Sequence, residues 1–119
     1  MTETEKGKLF DLEDRTLEFA KKVRMFVKKL PKTTANLEDG KQLVKASGSV
    51  GANYIEANES LSKKDFVMRI KISRKEAKES WYWLELTEPK EEQMMEKQDL
   101  IKEATELTKI FGSIVEKSK

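Results

Sequence analysis

The sequence predicts an all-α protein, an up-down-up-down antiparallel four-helix bundle. Three observations predict it. Apolar residues recur at helical spacing in four successive segments, no stretch alternates with period two, and only a few residues separate one segment from the next. Short links between long helices favour antiparallel neighbours. The 119 residues are expected to form one domain, 1–119, burying about two-thirds of the surface that the unfolded chain exposes. The helices are expected at about 11–30, 37–59, 62–87 and 91–116.

The first helix begins near Asp11 or Asp14 and runs to Leu30, where Pro31 stops it. Phe19, Val23, Phe26, Val27 and Leu30 form its apolar stripe. Asn36 is the expected N-cap of the second helix, with Glu38 and Asp39 in its first turn. Leu43, Ala46, Val50, Ala57 and either Tyr54 or Ile55 face inward there. Gly48 and Gly51 each cost up to about 1 kcal/mol in a helix relative to Ala. Their spacing beside Ala46, Ser47, Ser49 and Ala52 suits close approach of a neighbouring backbone, with a kink as the alternative. The run is not a phosphate loop, because no strand precedes it and no Gly-Lys-Ser/Thr follows.

The third helix carries the most information. Ser62 and Asp65 make a capping-box-like start, and the pattern continues without Gly or Pro to about Thr87, a rod of roughly 39 Å. Phe66, Ile70, Ser73, Ala77, Trp81 and Leu84 form its core stripe. Met68, Ile72, Trp83 and Leu86 fall well over a quarter-turn away and leave a second apolar stripe that needs cover. Self-association through that stripe is the expected explanation; capping of the bundle edge is the alternative. In the fourth helix Met94, Gln98, Ile101, Ala104, Leu107, Thr108, Phe111 and Ile114 are expected to face inward.

Composition excludes several chemistries. Apolar residues make up 37% and charged residues 39%, which suits amphipathic helices with solvated outer faces. There is no cysteine and no histidine, hence no disulfide, thiolate zinc site or imidazole base. No metal site, cofactor or catalytic residue is nominated, and no enzyme activity is expected. No stretch reads as a signal peptide or a membrane span, so a cytoplasmic protein is expected.

The net charge of +2 hides a segregation. Residues 19–36 carry six bases, including Lys21 and Lys28, and no acid. Residues 61–78 carry seven bases against Asp65 and Glu76, whereas residues 88–106 carry seven acids against three lysines. Lys64, Lys71, Lys75 and Lys78 repeat along one face of the third helix, Arg74 flanks them and Tyr82 continues the line. A basic row with an aromatic ring suits phosphates with splayed bases; a merely solvated face is the competing reading. Gln42, Asn53 and Glu56 of the second helix, with Arg69, Ser73, Glu76 and Ser80 of the third, are expected to form an interhelical polar network in which Arg69 pairs Glu56 or Glu76.

The run Gln42-Leu43-x-x-Ala46-x-Gly48-Ser49-Val50-Gly51-Ala52-Asn53-Tyr54-Ile55-Glu56-Ala57 is followed by Ser62-x-x-Asp65-Phe66 and Ile70-x-Ile72-Ser73-x-Lys75-Glu76-Ala77-x-Glu79-Ser80-x-x-Trp83-Leu84. Together with Leu30-Pro31, these residues resemble the small four-helix-bundle proteins encoded by intervening sequences in bacterial 23S ribosomal RNA genes. The resemblance spans about residues 14–115. It implies a ring-like homopentamer. A related branch, the accessory variability proteins of diversity-generating retroelements, implies binding of nucleic acid and a reverse transcriptase through basic surfaces. The acidic segments make this chain less basic than that role requires. The resemblance brings no catalytic residue, and it casts Asn53 and Glu56 as structural.

Two functions follow as expectations. One is an oligomeric bundle binding RNA or DNA through basic faces of helices one and three. The other is a protein–protein scaffold with no direct nucleic-acid role.

Overall fold

A computed structural model describes residues 11–119. The elements are α1 (Leu12–Lys28), α2 (Thr34–Asn58), α3 (Lys63–Leu86), a 3-10 turn (Glu91–Gln93) and α4 (Met94–Lys117). The expected start of α1 is a cap: the Asp11 carboxylate accepts from the Glu13 and Asp14 amides at 3.0 and 3.4 Å. Ser62 caps α3 by accepting from the Asp65 amide at 3.1 Å.

The start of α2 differs from the expectation. Thr33 is the N-cap, accepting from the Asn36 amide, so Glu38 and Asp39 lie beyond the first turn. Asn36 has another task. Nearly buried, it donates to the Pro31 and Glu88 carbonyls at 3.0 and 2.9 Å and accepts from the Glu88 amide at 2.9 Å. One amide thus joins the α1–α2 turn to the α3–α4 turn, supplying partners that the two turns' own backbone cannot. α2 itself is one uninterrupted helix through Gly48 and Gly51, without a kink-forming break.

Neighbouring helices run antiparallel. Early residues of α1 meet late residues of α2, as in the Glu13–Asn58 hydrogen bond, while Val27 lies at Gly40. Arg69 of α3 meets Asn53 of α2, and Lys97 of α4 meets Glu85 at the end of α3. α4 closes the bundle beside α1, with Arg15 at Glu103 and Lys29 at Glu96. This last seam is the thinnest of the four and leaves a cleft of about 760 Å³.

The core holds Phe19, Val23 and Phe26 of α1, Leu43 and Val50 of α2, Ile70, Ala77 and Leu84 of α3, and Leu100, Ala104, Leu107, Phe111 and Val115 of α4. Tyr54, not Ile55, turns inward, its ring tilted on Phe111 at 5.7 Å, while Ile55 stays exposed. The expected stripe of α4 is rotated near its start. Met94 and Gln98 face solvent, and Leu100 and Lys97 are buried instead. Lys97 fits this position because its ammonium donates to the Glu85 and Thr87 carbonyls at 3.2 and 2.8 Å and so caps the C-terminal end of α3. Its aliphatic stem occupies the apolar face on the way there.

Candidate nucleic-acid interface

The outward surface of α3 follows from its core contacts. With Ile70, Ser73, Ala77 and Leu84 buried, a turn of about 100° per residue puts Lys64, Lys71, Lys75, Lys78 and Tyr82 opposite the core, in an arc of roughly 60°. All five are exposed. The Tyr82 ring is half exposed and stands edge-to-face on Trp83, with centroids 5.1 Å apart. Arg74 flanks the row but leans toward α4, its stem beside Gly112. Lys75 lies 3.9 Å from Glu76; Lys64, Lys71 and Lys78 have no ion-pair partner among the described residues.

The basic residues of α1 do not extend this row. α1 and α3 occupy opposite corners, each flanked by α2 and α4. The α1 bases that face α4 are spoken for by acids: Arg15 grips Glu103 through two bonds of 2.8 and 2.7 Å, and Lys29 pairs Glu96 at 2.9 Å. The Glu103 bond also holds the Arg15 guanidinium above its usual pKa. The basic and acidic segments of the sequence therefore neutralise each other along the α1–α4 seam. Lys21 and Lys28 remain exposed on the outer side of α1, with Lys21 at the rim of the α1–α4 cleft.

The second stripe of α3 is graded. Met68 is 50% and Leu86 43% exposed, while Ile72 and Trp83 are half-buried. Trp83 packs against the core edge, and its indole N–H donates to Glu79 at 3.2 Å. Most of the Trp83 payload thus serves the fold, and the accessible part of the stripe is Met68, Leu86 and one side of Ile72.

The expected polar network is assembled differently. Arg69 donates to the Asn53 side-chain carbonyl at 3.0 Å, and the Asn53 amide donates to the Ser49 carbonyl and hydroxyl at 2.9 Å each. Arg69 pairs with neither Glu56 nor Glu76. The reason is position: Glu56 projects into solvent, and Glu76 lies two turns along α3 beside Lys75. Burial, then the neighbouring Glu79, raises the Glu76 pKa, with Lys75 and Lys45 opposing. Ser73, expected in the same network, does tie the two helices, its hydroxyl donating to the Val50 carbonyl at 2.9 Å.

Among the described residues no group of His, Cys, Asp or Glu could hold a metal ion. No described helix is long and apolar enough to cross a membrane.

The model of the 23S rRNA-intervening sequence protein family matches residues 10–113, nearly the whole chain. The chain belongs to that family. Its fold also resembles a crystal structure from Bacteroides thetaiotaomicron, a protein of unknown function from the S23 ribosomal protein family. That neighbour is 32% identical, with a TM-score of 0.75 over 87% of this chain and 96% of the other. No curated protein matches. The motif Ser49–Glu56 covers two turns of α2 and faces both neighbours: Val50 and Tyr54 turn to the core, Gly51 meets Thr16 of α1, and Asn53 meets Arg69 of α3. Neither relative brings a described activity to these residues.

Proposed function

We propose that this intervening-sequence protein is a non-enzymatic helical bundle that binds nucleic acid through the outer face of α3. One observation carries the reading: Lys64, Lys71, Lys75 and Lys78 stand exposed on one helix face with no acid within the row. Four phosphate contacts give a log–log salt dependence of affinity with slope about −3 to −4. Lys21 and Lys28 form a separate, weaker site, since a strand lying on α3 does not reach the opposite corner. The triple reversal Lys71→Glu, Lys75→Glu and Lys78→Glu should abolish binding in an anisotropy titration while leaving the helical spectrum intact. Unchanged affinity after the reversals would refute the reading.

A second reading rests on a different observation, the exposure of Met68 and Leu86 beside Ile72 and Trp83. It makes that stripe a contact between copies, in a homo-oligomer whose pentameric count the family resemblance suggests, or with a protein partner. Because Trp83 also supports the core, Met68→Glu and Leu86→Glu are the cleaner probes. Sedimentation of the unaltered protein as a monomer at all concentrations would end this reading. A cytoplasmic setting accords with both.

A further inference from the structure

The lysine row and the Met68 stripe lie side by side on one helix. We infer that α3 takes single-stranded nucleic acid, with phosphates over Lys64, Lys71, Lys75 and Lys78 and bases turned onto Tyr82 and the apolar stripe; this rests on the nucleic-acid reading above. The rows run parallel for the length of the helix. Successive lysines from Lys64 to Lys78, and then Tyr82, span about 27 Å at 1.5 Å per residue. The centres of the two rows are some 70° apart around a helix of radius about 5–6 Å, so roughly 6–7 Å of surface separates them. That is the reach from a phosphate to its own base. A single strand is itself a two-edged ribbon, charged along one edge and flat and apolar along the other, and it complements both rows at once.

A duplex complements only one of them. Its base faces are stacked inside, leaving Tyr82 and Met68 nothing to cover. Nor, beyond the lysines already given to phosphates, does α3 present what reads base edges in a groove. Arg69 is tied to Asn53, Arg74 leans on α4, and no Asn or Gln lies among the row residues. Tyr82, half exposed and braced edge-on by Trp83, offers an accessible ring face on which a base can stack. Glu79 lies within the apolar stripe, beside Met68 and Ile72, and its carboxylate is engaged by the Trp83 indole N–H.

The test compares a fluorescent oligouridylate with a duplex of equal length, titrated with the full chain at several salt concentrations. Wild type should bind the single strand more tightly. Tyr82→Ser, at an exposed position, should lower single-strand affinity by about 5- to 100-fold, the usual worth of a base stacked on an aromatic ring; Met68→Ser, also exposed, should lower it by a smaller factor, and both should leave duplex binding unchanged. Removing one lysine, as in Lys71→Gln, should reduce the single-strand salt slope by about 0.7. Equal affinity for duplex and single strand, or no loss from both serine variants, overturns this inference and leaves the lysine reading standing. So does a Met68→Ser variant that dissociates an oligomer with no change in single-strand affinity, because the stripe then belongs to a second copy. Failure of wild type to bind either probe removes the nucleic-acid reading itself.

Discussion

Two glycines in this bundle should respond to the same substitution with opposite signs. An added Cβ at Gly51 would stand 2.6 Å from the Thr16 hydroxyl and 3.0 Å from the Thr16 Cβ. Thr16 cannot step aside: it is 1% exposed, and its hydroxyl is bound to the Leu12 carbonyl at 2.6 Å. Being β-branched, it is also stiff at χ1, and its Cβ moves only if α1 moves. Gly51→Ala gains up to about 1 kcal/mol of helix propensity. Forcing a methyl into a filled seam costs about 1–3 kcal/mol, toward the upper end when backbone must shift. The net expectation is a loss of about 1–2 kcal/mol. At Gly112 the nearest atom to a new Cβ is the Arg74 Cδ at 3.6 Å, an ordinary contact on a flexible side chain. Gly112→Ala should therefore stabilise by about 0.5–1 kcal/mol. Urea denaturation gives both values if the m-value is unchanged, and the melting temperature should move by about 3–6 °C per kcal/mol. Adding Thr16→Ala to Gly51→Ala should recover part of the loss, a coupling that a double-mutant cycle reads directly. A Gly51→Ala protein as stable as wild type would show that α1 and α2 do not approach this closely.

Lys97→Met keeps the buried stem but removes both donors to the end of α3; it should cost about 1–3 kcal/mol in urea denaturation, and a neutral result would mean those carbonyls find other partners. Leu100→Ala should cost about 2–5 kcal/mol and Ile101→Ala clearly less, since only Leu100 is fully buried; equal costs would contradict the rotation of α4. Glu103→Gln at the partly exposed Arg15 pair should cost no more than about 1 kcal/mol, and the cost should shrink as salt rises. Glu76 has a raised folded pKa, so folding favours its protonated form and the ionised group opposes folding. Stability from this group is lost as pH rises from the ordinary carboxylate range through the raised value. Glu76→Gln should therefore gain on wild type as pH climbs through that window, and parallel stability curves would show that the carboxylate is well solvated.

The legible parts of this protein were the periodic ones. Phe19, Val23 and Phe26, or Ile70, Ala77 and Leu84, repeat at a spacing that only a helix brings to one face, and they are buried as that spacing requires. Asp11 and Ser62 could be read as caps because a cap acts on amides two or three residues away. Asn36 misled for an instructive reason. An asparagine before acidic residues reads as a cap, yet Thr33 reaches the first free amide sooner, and Asn36 is held by Glu88, 52 positions away. For Arg69 the network with Asn53 was legible but the partner was not: it meets the Asn53 amide and neither carboxylate, because the residue that stands opposite it on α2 is set by the register between the helices.

The sequence alone determined the helical class, the four segments, and the division of α3 into a core stripe, an apolar stripe and a lysine row. Those are local properties, set by a 3.6-residue period and by short-range capping. The tertiary structure decided the partners. It placed basic α1 beside acidic α4 so that Arg15 and Lys29 are neutralised, turned Lys97 inward to close α3, and set α1 and α2 close enough that Gly51 has no room for a methyl. It also left Lys64, Lys71 and Lys78 of the α3 row without an ion-pair partner among the described residues and put the α1 bases at the opposite corner. Such choices depend on distances and rotations between helices, which no spacing within a helix encodes.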